Sequence, residues 1–172
     1  MTAFDAGWAV LKMPLLTGSI NPQNMDTDEP TALFEDPTSG RLLPMMVSMA
    51  HLDKDGQPYT RPSVSIPHEE GTSEALFYPL GRDFQAEGVT VVPEMQRRGM
   101  ATAMYDLMAI LAARDGGRVV PSSFQTEEGR RMWRDKAGFR DEDAPESGPI
   151  PYGINLVHYP DETAWPVITQ DR

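Results

Sequence analysis

One stretch constrains this chain more than any other: between Ala86 and Ala112 the hydrophobic period changes from that of a strand to that of a helix. Ala86 to Val92 is rich in valine and threonine and is stopped by Pro93, which has no amide hydrogen to give to a sheet ladder. From Arg98 onward, Ala101, Met104, Leu107, Met108, Leu111 and Ala112 follow the spacing of an amphipathic helix, with Asp106 and Arg114 off the stripe. Gly116 and Gly117 supply its stop, and Arg114 in the last turn suits the helix dipole. The joining turn carries Gln96-Arg97-Arg98-Gly99, so the free amides of the first helical turn lie beside two guanidinium groups. Such a turn is suited to an anion. Gly99 and Ala101 are small enough to let a phosphate approach the backbone, and Arg97 and Arg98 add charge-assisted donors. Gly-Lys-Ser/Thr and G-x-G-x-x-G are both absent there, which removes two nucleotide-binding classes.

Upstream, Leu42 to Leu52 and Tyr59 to Ile66 read as strands joined through Asp53-Lys54-Asp55-Gly56-Gln57, whose Asp-Gly pair signals a hairpin. Ala75 to Leu80 adds a further strand to an antiparallel meander. Downstream, Arg118 to Pro121 is a short strand, and Ser122, Ser123 or Thr126 can cap a second helix that runs to about Ala137 and ends at Gly138. Gly153 to Tyr159 is the last strand. Ala6 to Met13 reads as one or two helical turns, and Asn21 to Gly40, with Pro22, Pro30 and Pro37, as loop, so that residues 1–40 form an N-terminal arm. Asp141 to Pro151 reads as an acidic loop, and residues 160–172 as a polar tail apart from Trp165, Val167 and Ile168. The element order predicts a single domain of mixed α/β (α+β) class, a mostly antiparallel sheet with helices packed on it.

Charge decides which partners such a domain accepts. Fifteen Lys and Arg against 26 Asp and Glu give a net charge of −11, which disfavours nucleic acid and anionic lipid. A small anion remains accessible to the arginine pair, because charges beyond about 8 Å are screened at physiological salt. The chain has no cysteine, so disulfides, thiolate zinc sites and a cysteine nucleophile are all excluded. His51, His68 and His158 form no short-range ligand motif, so no metal is expected. The start, Met1-Thr2-Ala3-Phe4-Asp5, lacks a basic segment followed by an apolar one, and no window approaches a membrane span. A cytoplasmic, soluble protein is expected, and association as a homodimer is left open.

The run Val91-Val92-Pro93-Glu94-Met95-Gln96-Arg97-Arg98-Gly99-Met100-Ala101 resembles the signature of the GNAT N-acetyltransferases, Gln/Arg-x-x-Gly-x-Gly/Ala after a strand. Thr126-Glu127-Glu128-Gly129-Arg130-Arg131-Met132-Trp133 leading to Gly138-Phe139 is also similar to that family, and residues 84–159 are covered. The resemblance implies a twisted sheet with helices on both faces, and a strand Ala86 to Val92 that splays from Arg118 to Pro121 with acetyl-CoA in the opening. It further implies that the main chain at Val91 pairs with the pantetheine arm. The amides of Gln96, Arg97, Arg98, Gly99, Met100, Ala101 and Thr102 then cradle the pyrophosphate. A thioester is already reactive, so transfer to an amine needs mainly orientation and an oxyanion contact.

Two departures bear on chemistry. The family often places a tyrosine four residues before the closing Gly-Phe as proton donor to the leaving thiolate, and Arg134 stands there, beside Trp133. Tyr105, on the preceding helix, reads as a packed ring. Glu87, set by alternation on the face of Val89 and Val91, is the candidate general base. His68 with Glu69 and Glu70 lies in a loop that could equally contribute a base but reads first as a solvated turn, and Glu69, Glu70, Asp141, Glu142 and Asp143 read as acids that keep the surface soluble, or that serve a cationic acceptor if they line the mouth. The N-terminal half lacks the two helices expected after a first strand, and the amine acceptor is left unnamed.

Overall fold

The computed structural model describes residues 16–52 and 54–168; the short helix expected over Ala6 to Met13 lies outside them. A large sheet is built in chain order from β1 (Leu16–Thr17), β2 (Ala32–Glu35), β3 (Leu42–Leu52), β4 (Pro58–His68), β5 (Gly71–Leu80), β6 (Asp83–Thr90) and β7 (Val119–Val120). Every neighbouring pair is antiparallel except β6 and β7, which are parallel. Hairpins need only short turns, whereas the one parallel pair requires a crossover, and helix α1 (Met100–Arg114) supplies it. A smaller sheet orders β8 (Phe124–Thr126), β10 (Ile154–Val157) and β9 (Glu146–Ile150) side by side, with helix α2 (Glu127–Ala137) against it. Among the described residues the fold is thus mixed α+β, with a large, mostly antiparallel sheet and two α-helices.

Period-two alternation makes the core. Leu43, Met45 and Val47 of β3, Val64 and Ile66 of β4, and Ala75 and Phe77 of β5 are buried on one face. Met100, Ala103, Met104, Leu107, Met108 and Leu111 of α1 are buried with them. Burial nevertheless continues round α1 to Tyr105 and Asp106, off the expected stripe. The reason is the tail: Trp165 lies edge-on to Tyr105 and Trp133, its main-chain amide donates to the Val119 carbonyl at 2.8 Å, and its Nε1 donates to Asp106 at 2.8 Å. Trp165 therefore closes the far side of α1, while Val167 stays exposed. At the end of α1 a glycine is obligatory at Gly117, because a Cβ there would sit 1.8 Å from the Arg82 carbonyl oxygen.

Two segments expected as loops are partly strand. Ala32–Glu35 forms β2, with Ala32 and Phe34 buried, so residues 21–40 are not an arm throughout. Glu146–Ile150 forms β9 at the outer edge of the small sheet, where Pro149 is tolerated because an edge strand leaves half its amides unpaired. Neither has the length or clean alternation that marks β3 and β4.

Two devices part β6 from the strand beside it. The pairing of β6 with β7 covers only Phe84↔Val119 and Gln85↔Val120, after which Pro121, with no amide hydrogen, ends β7 and the chain crosses into the small sheet. On the other side β6 bulges: Leu76 faces Gly88 while Phe77 faces Ala86, leaving Glu87 as the extra residue. Beyond Gln85, β6 runs on to Thr90 with one edge unpaired among the described residues.

Candidate functional site

The unpaired stretch of β6, the start of α1 and the start of α2 enclose a cavity of about 520 Å³. Its lining includes Val91, Gln96, Arg97, Gly99, Met100, Ala101 and Thr102, so these sequence-selected residues are brought together, with Val89, Met95, Thr126, Glu128, Gly129 and Met132 completing the wall. The turn between β6 and α1 has an unusual backbone. Gly99, the residue before α1, has φ 86°, and Arg97 two positions earlier has φ 63°, in a region that side-chain-bearing residues adopt only with strain. No side chain caps α1, so the amides of its first turn are left toward the cavity. The positive end of the helix dipole and the Arg97 guanidinium act in the same direction there, favouring an anion.

Arg98, the eighth residue selected for the CoA site, does not line the cavity. Its Nη1 donates to Asp36 Oδ2 at 2.8 Å, in the turn after β2. Asp36 is buried and accepts also from the Thr38 amide and the Ser39 hydroxyl. Burial works to raise the Asp36 carboxyl, but the bonds from Ser39, Thr38 and Arg98 outweigh it and hold the group below the ordinary carboxylate value. Arg98 is thus an anchor between the cradle and the β2–β3 turn, and Arg97 is the arginine that faces the cavity.

Val91 is held from two sides. Gln96 Nε2 donates to its carbonyl at 3.2 Å, and the following amide, of Val92, donates to Ser73 Oγ at 3.1 Å. Ser73 is wholly buried, and its hydroxyl lies 3.2 Å from His68 Nε2, while His68 Nδ1 lies 3.2 Å from Glu70 Oε2. Ser73 Oγ accepts from the Val92 amide, and the His68 ring joins Ser73 to Glu70, so the three side chains form one connected chain of bonds. The order matches a nucleophilic triad, but burial of Ser73 denies it a substrate, so the chain of bonds positions the Val91–Val92 backbone. His68 is therefore not in a solvated turn; its side chain is 1% exposed. Ser73 gave no sequence signal, since it becomes relevant only when His68 pairs with Gly71 across the β4–β5 hairpin.

The candidate base is misplaced. Because the bulge falls at Glu87, alternation no longer joins it to Val89 and Val91: Val89 faces Ala75 on the core side, while Glu87 forms an ion pair with Arg61 of β4 at 3.0 Å and does not line the cavity. Tyr105 is a packed ring, edge-on to Phe77 and Trp165, and burial pushes its hydroxyl up to about 12. Arg134 approaches Asp135 and Asp141. Asp141 also pairs with Arg130, and Glu142 and Asp143 with Arg140, so these acids are engaged with arginines and do not line the cavity. Glu69 pairs with Arg41. Among the described residues no three His, Cys, Asp or Glu side chains are gathered for a metal ion, and no helix is long and apolar enough to cross a membrane.

Searches against protein-family models, curated proteins and solved structures find no match for this chain.

Proposed function

We propose that the cavity binds acyl-CoA and that the protein is a GNAT-type N-acyltransferase, transferring in the simplest case acetyl from acetyl-CoA to an amine. One observation carries this reading: the cavity gathers an uncapped helix start, Arg97 and an unpaired strand edge. These are the three features a long ligand needs if it carries a pyrophosphate at one end and amides along its arm. The diphosphate accepts from the amides of Gly99 to Thr102 and from Arg97, and the arm runs along Val91 and Val89. In the transfer, a neutral amine attacks the thioester carbonyl, a C–N bond forms, the C–S bond breaks, and the amine's proton leaves as the CoA thiolate takes one up.

Calorimetry with acetyl-CoA, followed by thiol release over a panel of amines, tests the proposal. Micromolar binding with release is the expected result; absence of CoA binding overturns it. The positions of Glu87 and Arg134 favour a second reading, a CoA-binding sensor that does not turn over. Neither side chain is available to exchange a proton at the cavity, since Glu87 is paired with Arg61 and Arg134 approaches Asp141. Tight binding with no thiol release from any amine in the panel is the outcome that selects it.

A further inference from the structure

Arg97 holds a backbone conformation that its side chain disfavours, with φ 63°, and strain of this kind persists only where the surroundings impose it. Fixed points stand on both sides of it. Toward the N-terminus, the Met95 amide donates to the Val92 carbonyl, the Gln96 amide to the Pro93 carbonyl, and Gln96 Nε2 to the Val91 carbonyl. Toward the C-terminus stands Arg98, bonded through Nη1 to Asp36 Oδ2 at 2.8 Å. Asp36 is itself fixed, being 2% exposed and accepting from the Thr38 amide at 3.0 Å and the Ser39 hydroxyl at 2.7 Å. Arg98 is thus drawn toward the β2–β3 turn, while its neighbours Arg97 and Gly99, both at positive φ, line the cavity. Asp36 does not line it.

Resting on the acyl-CoA reading, we propose that Asp36 is a positioning residue for the diphosphate cradle. Through Arg98 it holds Arg97 in the left-handed region, and so sets the Arg97 guanidinium and the first-turn amides of α1 before the ligand arrives. A cradle set in advance loses no affinity to the ordering of its own turn. Electrostatics alone gives the opposite sign, because removing an acid and releasing Arg98 would both favour an anion.

Acetyl-CoA affinity by calorimetry and unfolding in urea, both measured on the full chain and its variants, test this. Asp36→Asn should weaken acetyl-CoA binding about tenfold, the ratio to which one strained residue corresponds. Arg98→Lys keeps a cation for Asp36 and should bind as the parent does. Arg98→Met should weaken binding as Asp36→Asn does, so the outcome does not hang on the folding of one variant. Glycine adopts positive φ without strain. In an Arg97→Gly background, where binding starts weaker for want of the guanidinium, Asp36→Asn should therefore still lower the urea midpoint but no longer change the affinity. Tighter binding in Asp36→Asn would make Arg98 a phosphate donor that Asp36 withholds, and unchanged affinity with a lowered midpoint would leave the anchor a purely structural one. Either result overturns the positioning role and spares the acyl-CoA reading. An affinity loss that persists in full in the Arg97→Gly background overturns strain at Arg97 as its cause. A parent chain that binds no acetyl-CoA overturns both readings.

Discussion

Helices α1 and α2 begin in opposite ways. At the start of α2, Thr126 caps the helix through a bond accepted from the Gly129 amide at 3.1 Å, and Glu127 and Glu128 in the first turn neutralise the dipole. At the start of α1 there is no side-chain cap and no acid in the first turn. What holds that turn comes from far away in sequence, the Arg98–Asp36 pair spanning 62 positions. A helix start satisfied by its own chain is complete as it stands. One left open to a cavity, next to an arginine in a strained conformation, keeps its first-turn amides available, as the proposed acyl-CoA reading requires.

Four substitutions can break or sharpen that contrast. The largest effect belongs to Ala101→Glu, which adds an acid where α1 has none. Acetyl-CoA affinity by calorimetry should fall about 100-fold or more, from like-charge repulsion at the phosphates, with the thermal midpoint nearly unchanged. Gly99 is a poorer position to test, because its φ of 86° would strain any side chain. Unchanged affinity in Ala101→Glu would mean that the open helix start does not serve the ligand.

Asp36→Asn comes next. It removes the charge that holds Arg98, at a cost of about 2 kcal/mol by denaturant unfolding at pH 7. The Asp36 carboxyl is held low, so its contribution is full above the ordinary carboxylate value near 4 and is lost as pH falls through the lower folded value. The acid limb of the stability profile should therefore be shallower in the variant. A limb identical to that of the parent would show that the anchor contributes nothing.

Thr126→Ala should cost about 1 kcal/mol, the usual value of a lost cap, and change acetyl-CoA affinity by less than about threefold. If affinity instead falls as far as in Ala101→Glu, the two helix starts are not functionally distinct. The smallest effect is expected at Asp106→Asn. Burial raises the Asp106 carboxyl, against the bond from Trp165 and the charge of Lys136, so the folded state takes up its proton more readily than the unfolded chain. Parent stability should therefore rise as pH falls from neutrality through the raised value, whereas the variant, which keeps an acceptor for Trp165, should lack that rise. A parent profile flat over the same range would sink this account.

Much of the scaffold was legible in the sequence because it depends on local pattern. Leu42 to Leu52 is a strand with the expected bounds, Thr126 caps α2 and Gly138 ends it, and the period change after Pro93 places α1 and the turn before it. That Gln96, Arg97 and Gly99 to Thr102 share one turn and line one cavity was legible for the same reason, whereas the direction of Arg98 was not. Glu87 was misread because alternation assumes an unbroken ladder, and a single bulge reverses which parity faces inward. Ala32 to Glu35 and Glu146 to Ile150 were missed because four or five residues among prolines carry too little period to register.

The sequence by itself determined the long strands, helices α1 and α2, their order and the chemical character of the β6–α1 turn, since hydrophobic period, capping residues and glycine positions act over a few residues. Tertiary structure decided which arginine faces the cavity, how Ser73 and His68 brace Val92, and how Trp165 comes to bury Asp106. Each of these is a pairing between distant segments, and its partner is chosen by strand register and helix packing, quantities that no local window of residues contains.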